Sequence, residues 1–158
     1  MIYKNLNRMP IKRSRKGRSH SKAKKVTVDG INFKSGLEKF MYQELKKNKL
    51  FEGYENEKFP LIDSFAPCNE FYERQANSKG EFRQRGGKKI QGISYTPDFC
   101  GRDFIIECKG FPNQSFPIRW KLFKKHLCDV GDERTVFKPQ TQSECSKVIQ
   151  LILNQRLT

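Results

Sequence analysis

Two carboxylates and a lysine lie within one short stretch of the chain and could hold a divalent cation beside a fixed positive charge. Asp98 follows a proline in the segment Y-T-P-D-F, and Glu107 and Lys109 stand two residues apart in the segment I-I-E-C-K-G. Oxygen ligands without histidine or cysteine select Mg²⁺ or Mn²⁺. Such an ion can hold a phosphodiester, generate hydroxide from bound water and neutralise charge in the transition state. The stretch therefore predicts the active site of a metal-dependent nuclease, in which Lys109 orients water or stabilises the phosphate.

The positions of these side chains depend on the strands that carry them. Residues 93–100 and 103–109 are rich in apolar residues, and they predict two strands joined by a tight turn at Gly101-Arg102. With that two-residue turn, Asp98 faces Ile105 across the pair. Because side chains alternate between faces along a strand, this register decides which residues meet on one side of the hairpin.

In this register Asp98 lies on the same face as Glu107 and Lys109, diagonal to Glu107. A diagonal separation of about 7–8 Å between backbones allows two carboxylates to lean onto one ion. A change of one residue in the turn would reverse the face. The alternative is a strand pair whose glutamate and lysine form an ordinary surface contact. The combination of Pro-Asp, Glu-x-Lys-Gly and a strongly basic chain favours the catalytic interpretation.

A third acid, Glu38, stands near the start of the first predicted helix. Ser35 is a suitable N-cap, and Glu38 three residues later completes a capping-box pattern. Helical spacing of apolar residues follows at Leu37, Phe40, Met41 and Leu45. Periodicity alone favours a capping role for Glu38 over a functional one, although Glu38 lies at the edge of the apolar stripe.

The charge balance points to a polyanionic partner. The chain has 158 residues and a formal net charge of +15, which favours nucleic acid over a membrane surface. Hydrophobic residues make up 35% of the sequence, enough for the core of one domain with an additional arm. No apolar run is long enough for a transmembrane helix, and the basic N-terminus lacks the apolar segment of a secretory signal.

The cysteine pattern argues against zinc and against disulfides. There are 5 Cys and 2 His, and no two cysteines are spaced as C-x-x-C. Reduced thiols in an intracellular protein, several of them buried, are the simplest interpretation.

Residues 1–25 form a basic segment that contains no acid, since the first carboxylate is Asp29. Such a segment cannot bury a core, so we expect a flexible arm that follows phosphates, with a solubilising tail as the alternative. The remaining residues, 26–158, are predicted to form a single domain, with 63–92 as a candidate basic loop insertion. Within this insertion, the basic segment 77–89 is equally consistent with a DNA contact and with a solvated loop. The predicted arm contacts to nucleic acid are Arg13, Arg15, Lys16, Arg18, Lys24 and Lys25.

A basic amphipathic helix is predicted after the site. Pro117 suits its first turn, and the predicted buried stripe is Ile118, Leu122, Phe123 and Leu127. Its charged face either meets phosphates or is simply solvated. The predicted nucleic-acid contacts on that face are Arg119, Lys121, Lys124 and Lys125. A strand at 134–138 and a terminal helix at 143–153 follow; the helix either covers the sheet or meets a second subunit.

Three blocks of this sequence together resemble the endonuclease I family of phages, the resolvases of four-way DNA junctions, within the PD-(D/E)-x-K nuclease superfamily. The blocks are F-K-S-G-L-E at 33–38, Y-T-P-D-F at 95–99 and I-I-E-C-K-G at 105–110. The resemblance covers about residues 31–140, and each block alone is weak. Segment 63–92 has no counterpart in that family.

The resemblance implies roles for individual residues. It places the family's helix acid at Glu38, its metal-binding acids at Asp98 and Glu107, and its catalytic lysine at Lys109. Glu38 would then serve both as a cap and as a site residue. The resemblance further implies Mg²⁺, with Mn²⁺ as a substitute, a homodimer with swapped strands, cleavage of branched DNA, and a phage-encoded protein in the host cytoplasm.

We therefore predict an α/β domain with a restriction-endonuclease-like PD-(D/E)-x-K core, a mixed central sheet flanked by helices, and an N-terminal basic arm. The predicted activity is Mg²⁺-dependent cleavage of DNA, most specifically of four-way junctions. Three alternatives stay open. They are a nicking or restriction-like nuclease of the same superfamily, a non-catalytic basic DNA-binding protein, and an RNA-binding protein of the ribosomal type.

Overall fold

Short strands and three helices alternate along the part of the chain that the structure, a computed structural model, describes: residues 25–74, 79–84 and 86–157. The helices are α1 Gly36–Lys47, α2 Phe116–Val130 and α3 Gln142–Gln155. The strands are β1 Val26–Val28, β2 Ile31–Phe33, β3 Phe59–Ile62, β4 Tyr72–Arg74, β5 Phe82–Gln84, β6 Ile93–Tyr95, β7 Phe99–Cys100, β8 Phe104–Ile106 and β9 Thr135–Phe137. The predicted α/β class is confirmed. Of the predicted basic arm, only Lys25 lies within the described residues.

A β-hairpin leads into the first helix. β1 and β2 pair around Asp29 and Gly30, whose φ values of 51° and 78° are those of a tight turn with two left-handed residues. Ser35 caps α1, as predicted, because its Oγ accepts a hydrogen bond from the Glu38 N–H at 3.2 Å. The cap fixes where the helix begins and therefore where Glu38 points.

β7, β8 and β9 form a mixed three-stranded sheet at the centre of the fold. β7 and β8 are antiparallel, with Phe99 opposite Ile106 and Cys100 opposite Ile105, and β9 runs parallel to β8. Phe99 and Ile106 pack against α1 and α3, whereas Cys100 and Ile105 pack against α2, β3 and β6. The sheet is buried on both faces, and helices flank it as predicted.

The prediction of a single strand over residues 93–100 is wrong. β6 pairs with β3 in one sheet, and β7 pairs with β8 in another. The break falls at Pro97, which is fully buried and has no N–H to donate to a strand ladder. The chain therefore changes partners immediately before Asp98.

The predicted turn is also displaced by one residue. The Gly101 N–H donates to the Phe104 carbonyl at 3.0 Å, so Arg102 and Asp103 form the turn. A Cβ on Gly101 would lie 2.5 Å from the Phe104 ring, so this position requires glycine. Relative to the predicted register, each residue of β7 meets a partner two positions further along the chain. An even shift leaves every side chain on its predicted face.

The two later helices keep their predicted positions but change details of their buried faces. Ile118 of α2 was predicted to be buried and is 66% exposed, because Phe116 one half-turn earlier fills the core instead. In α3, Leu151 is exposed while Val148 and Ile149 pack in the cluster that contains α1. α3 therefore covers the core of its own chain. None of the described helices is long and apolar enough to span a membrane.

Segment 63–92 forms the outer part of a long two-stranded ribbon. β3 and β6 pair at its base with a register shift after Pro60, an isolated bridge joins Phe65 to Ile90, and β4 and β5 pair further out. We call residues 59–74 together with 79–84 and 86–95 the ribbon, and β4 with β5 its tip. The loop insertion is thus an ordered hairpin where it is described; residues 75–78 and 85 lie outside the described part.

All five cysteines are free thiols, as the sequence indicates. Cys100, Cys108 and Cys145 are buried, whereas Cys68 and Cys128 are exposed. The buried thiols act as small apolar groups in the core.

Candidate active site

A pocket of about 820 Å³ opens between the first turn of α1, the ends of β6 and β8, and the start of α2. Its lining includes all four predicted site residues, Glu38, Asp98, Glu107 and Lys109. The three acids are 6%, 7% and 7% exposed respectively, and they are the buried charged residues of the described chain. Carboxylates are almost never buried to this degree without a partner or a function. The structure therefore brings together residues that lie 71 positions apart in sequence, from Glu38 to Lys109.

Asp98 directly precedes β7 and is held there by the backbone that follows β8. Its Oδ2 accepts a hydrogen bond from the Cys108 N–H at 2.6 Å. Continuing the observed register by one pair places Asp98 directly opposite Glu107, closer than the diagonal arrangement that we predicted. The pKa of Asp98 is raised well above its usual range by burial and by the charges of Glu107 and Glu38, against the lowering effect of the Cys108 N–H.

Glu107 directly follows β8, and its pKa is also raised, though less than that of Asp98. Burial raises its pKa, while the positive charge of Lys109 lowers it. The Lys109 Nζ lies 3.8 Å from Glu107 Oε1 and 4.8 Å from the centre of the Phe116 ring. The lysine side chain is partly buried, so its charge is held between a carboxylate and an aromatic face. One ammonium group does not neutralise three carboxylates.

Glu38 both caps α1 and lines the pocket, so the two roles that we considered for it are compatible. Its Oε1 accepts from Ser35 Oγ at 2.8 Å, and its Oε2 accepts from the Lys34 N–H at 2.8 Å and from the Tyr54 hydroxyl at 2.6 Å. Burial and the hydrogen bond to Glu38 raise the pKa of Tyr54, which keeps it a donor. The helix start thus fixes the third carboxylate at the pocket wall.

Tyr95 is a pocket residue that the sequence argument overlooked. Its side chain is 5% exposed, and its hydroxyl has no hydrogen-bond partner among the described residues. Burial and the nearby Glu107 carboxylate raise its pKa, so the hydroxyl stays protonated. The ring stacks on Phe123 at 4.6 Å. A buried donor beside a carboxylate can hold that carboxylate or a bound oxygen in place. The signal was its position three residues before Asp98, in the same block.

Arg119 was predicted to contact phosphates from the exposed face of α2; it is exposed, and it also lines the pocket. Its guanidinium donates to the Ser94 carbonyl at 2.6 Å and lies 5.8 Å from the centre of the Tyr95 ring. It therefore fastens α2 to β6 at the wall of the pocket.

Two further charged residues at the pocket were also not predicted from the sequence. Lys34 and Glu55 both line the pocket, and Lys34 Nζ donates to Glu55 Oε1. This hydrogen bond raises the pKa of Lys34, which therefore remains a cation at the edge of the acidic cluster. Lys34 directly precedes the Ser35 cap, which is the only sequence signal for its position.

The remaining predicted nucleic-acid contacts divide into two groups. Lys25, Lys121, Lys124 and Lys125 are exposed, and Lys125 pairs with Asp129 one turn further along α2. The others fall outside the described residues: Arg13, Arg15, Lys16, Arg18 and Lys24. The solvated lysines of α2 lie on the helix that begins at the pocket, so they extend its positive surroundings.

The donor set of the pocket suits a hard divalent cation, although the side chains do not form a ready-made cluster. Among the described residues, no three His, Cys, Asp or Glu side chains stand close enough together to hold a metal ion as they are placed. The ligand chemistry nevertheless fits, because the available donors are the oxygens of carboxylates whose pKa values are raised by burial and, for Asp98, by the neighbouring acids as well. Asp98 and Glu107 would hold such an ion, with Glu38 completing the acidic wall.

Comparison with known proteins identifies a family but no activity. A family model described as "Protein of unknown function (DUF1064)" matches residues 18–141. The match spans more than half of the chain, so the chain belongs to this family. No curated protein and no solved structure was found to match it. The function of the chain is therefore inferred from the geometry and electrostatics of the pocket.

Proposed function

We propose that this member of the DUF1064 family is a divalent-cation-dependent endonuclease that hydrolyses phosphodiester bonds in DNA. The observation that supports this most strongly is the sharing of one pocket by three carboxylates, each more than nine-tenths buried, and the Lys109 amine. The formal net charge of +15 supports a nucleic acid as the substrate. The pocket itself is acidic although the chain as a whole is basic. An acidic pocket repels phosphate unless a cation mediates the contact.

The burial of the acids argues for a function over a purely structural role. Paired carboxylates in a structural cluster are normally matched by arginine or lysine, and removing them from water is otherwise costly. Here burial and the charges of Glu107 and Glu38 raise the pKa of Asp98. Lys109 lies 3.8 Å from Glu107 and forms no salt bridge with another acid among the described residues. Clusters of acids with perturbed pKa values in a cleft are typical of functional sites.

The residues of the pocket have distinct roles in this proposal. Asp98 and Glu107 hold the cation from the ends of β7 and β8, and Glu38 adds the third carboxylate from α1. Mg²⁺ bound there would supply Lewis-acid stabilisation of the phosphate and a more acidic water. Lys109 directs its ammonium group into the pocket and would donate to a phosphate oxygen or to the attacking water. Tyr95 provides a protonated hydroxyl next to Glu107 and would hold that carboxylate in position.

The resemblance to phage endonuclease I supports a finer version of the proposal. It adds a PD-(D/E)-x-K core, four-way junctions as the preferred DNA, a homodimer with swapped strands, and action in the host cytoplasm. The three sequence blocks that carry the resemblance contribute Glu38, Asp98, Glu107 and Lys109, and these four residues line one pocket. That agreement is what links the blocks to a common chemistry.

A cleavage assay with matched variants tests the proposal. Purified full-length protein is incubated with a synthetic four-way junction, a nicked duplex and a linear duplex, each with Mg²⁺, with Mn²⁺ or with EDTA. We expect cleavage with either metal, none in EDTA, and the fastest cleavage of the junction. Glu107→Gln, purified in parallel, should be inactive. Glu133→Gln, which removes an exposed acid outside the pocket, should be fully active.

Each alternative predicts a different result. Preferential cleavage of nicked or linear DNA would indicate a nuclease of the same chemistry with another substrate. Binding of DNA without metal-dependent cleavage would contradict the enzymatic proposal and favour a DNA-binding protein. Tighter binding of RNA than of branched DNA, again without cleavage, would favour the ribosomal-type alternative.

A further inference from the structure

The tip of the ribbon presents an unusual exposed face. Opposed residues of an antiparallel pair share a face, and the register pairs Tyr72 with Gln84 and Arg74 with Phe82. These four side chains therefore lie on one side of the tip, and all are exposed, Tyr72 by 61% and Phe82 by 69%. Every residue of β4 and β5 is exposed, so neither face of the tip is buried in the chain itself.

The chemistry of this face differs from that of the ribbon's base. The exposed pairs nearer the core are Ile62 with Ile93 and Phe65 with Ile90, three of them aliphatic. The tip face instead combines two aromatic rings, a guanidinium and an amide, with no aliphatic side chain. Rings and guanidinium planes stack on nucleobases, and amides hydrogen-bond with base edges.

The spacing of the two rings also suits a base. Tyr72 and Phe82 are diagonal neighbours across the pair, a relation that separates backbones by about 7–8 Å. That is about twice the ~3.4 Å spacing of stacked bases, so rings that extend in parallel from these two backbone positions would leave room for one unpaired base.

Charge selects nucleic acid over a second copy of this chain as the occupant. Residues 72–89, which begin with β4, include six Lys or Arg and two acids, Glu73 and Glu81. Another copy would bring the same positive tip, and two like-charged surfaces repel each other. A phosphate backbone is attracted to such a surface.

The ribbon also begins at the pocket. Tyr95, at the end of β6, lines the pocket, and Arg119 fastens the adjacent Ser94 carbonyl to α2. DNA that places a phosphate in the pocket therefore lies beside the base of the ribbon, with the tip further out along the same ribbon.

We infer that the tip of the ribbon binds unpaired bases of a DNA substrate by stacking them on Tyr72 and Phe82, with Arg74 as the neighbouring cation. This inference rests on the proposed function for DNA as the partner, and it specifies that function further. It explains how the protein would distinguish DNA with unpaired bases from a continuous duplex. Stacking ignores base identity, so the selection is for structure rather than sequence.

A binding experiment in EDTA, where no cleavage occurs, tests the inference on the full chain. Fluorescence anisotropy at fixed salt gives Kd for a duplex with an unpaired loop and for the same duplex fully paired. Tyr72→Leu with Phe82→Leu should weaken binding of the looped DNA by about tenfold or more, and of the paired duplex by less than about twofold. Tyr72→Phe with Phe82→Tyr, which keeps both rings, should bind like the wild type.

Two controls complete the design. Phe65→Leu removes an exposed ring from the base of the ribbon and should leave both affinities unchanged. 2-Aminopurine in the unpaired loop should be quenched by the wild type and not by the double leucine variant. Thermal unfolding checks that the double leucine variant, whose changes lie on an exposed face, keeps the stability of the wild type.

Several results would overturn the inference. They are an unchanged Kd for the double leucine variant, equal weakening on looped and paired DNA, or a loss of self-association by sedimentation with DNA binding intact. The last result would assign the tip to a second copy of the chain. The nuclease proposal fails separately: wild-type protein that quenches 2-aminopurine but never cleaves DNA with Mg²⁺ would refute catalysis and leave the tip assignment standing.

Discussion

Strand β8 is flanked by an acid at each end, and the two acids differ in how well positive charge compensates them. Before the strand, Asp103 is held by Arg156, whose Nε and Nη2 lie 2.6 Å and 2.5 Å from its two oxygens. After the strand, Glu107 has Lys109 as its salt-bridge partner among the described residues, at 3.8 Å, and it shares its pocket with Asp98 and Glu38. The hydrogen bonds from Arg156 lower the pKa of Asp103, whereas burial raises that of Glu107.

A second arginine reinforces the first end. Arg134 donates to both oxygens of Glu57, at 2.8 Å and 2.9 Å, and to Asp132 at 2.7 Å. The hydrogen bonds from Arg134 to Asp132 lower the pKa of Asp132, and the guanidinium carbon of Arg134 lies 5.7 Å from the centre of the Phe59 ring. The turn end of the sheet thus pairs its carboxylates with bidentate arginines, which stabilises the fold. The pocket end leaves its carboxylates short of positive charge, which is the state that a bound cation would relieve.

The largest contrast between the ends should appear in the cleavage rate. Asp98→Asn removes a carboxylate that the proposal assigns to the cation, and we expect a loss of about a thousandfold or more. DNA binding should be retained or become tighter, because one negative charge facing the phosphates is gone. Asp103→Asn, the matched change at the turn end, should keep the rate within about twofold. Single-turnover cleavage and gel-shift assays measure both, and an active Asp98→Asn enzyme would remove the functional half of the comparison.

The opposite contrast should appear in stability. Arg134→Met leaves Glu57 and Asp132 without their common partner in a half-buried site, and we expect a loss of about 1–3 kcal/mol in the free energy of unfolding. Lys125→Met breaks the exposed pair with Asp129 and should cost less than about 0.5 kcal/mol. Urea unfolding gives both values. Equal losses in the two variants would show that the arginine end is no stronger than an ordinary surface pair.

Glu38 tests whether capping and catalysis can be separated. Ser35→Ala removes the N-cap oxygen and should cost about 1 kcal/mol of stability. Glu38→Gln keeps the shape of the side chain and one acceptor oxygen, which can still accept from the Lys34 N–H and the Tyr54 hydroxyl, while its NH2 can donate to Ser35 Oγ. Its loss of stability should therefore be smaller while its loss of cleavage is larger. Chemical denaturation and cleavage rates are measured on the same two preparations. If both variants lose activity only in proportion to their stability, Glu38 is a cap and nothing more.

The sequence supplied the local signals of this fold because those signals depend on neighbouring residues. The Ser35 cap, the first-turn Pro117 and the alternation along β8 are each decided within a few positions, and the structure shows all three. The turn was predicted at Gly101-Arg102 and lies at Arg102-Asp103, one residue later. The prediction failed because either dipeptide can form a tight turn. The choice between them came from the close contact of Gly101 with the Phe104 ring, which only the folded packing reveals.

The acids and the lysine of the site could be predicted from the sequence, but the residues that hold them in place could not. Spacing identified Asp98, Glu107 and Lys109, since a hairpin brings residues on both strands to one face. Tyr54, which donates to Glu38, and Arg119, which turns back to Ser94, are tertiary contacts with no periodic signature. The exchange of strand partners at Pro97 was missed for the same reason: one proline permits several outcomes, and the sheet selects among them.

The smallest effect is a pH dependence that has opposite signs at the two ends of β8. Asp103 and Asp132 have lowered pKa values, so their contribution is present above the unfolded pKa of about 4 and is lost only as the pH falls through their folded values. Asp98 and Glu107 have raised pKa values, so the metal-free fold loses stability as the pH rises from their unfolded pKa of about 4 towards the neutral range. Relative to Asp98→Asn, the wild-type Tm should therefore fall by about 2 °C or more over that range.

Saturating Mg²⁺ should remove this difference, because a cation bound to the ionised carboxylates offsets their repulsion and binds only the folded state. Differential scanning fluorimetry at pH 5.5, 6.5 and 8, with Mg²⁺ or EDTA, measures it, and Asp103→Asn serves as the control that keeps the pocket intact. A wild-type Tm that is flat between pH 5.5 and 8 in EDTA would mean that the pocket acids are already neutralised within the chain. In that case both ends of β8 would be structural, and the case for a cation in the pocket would fail.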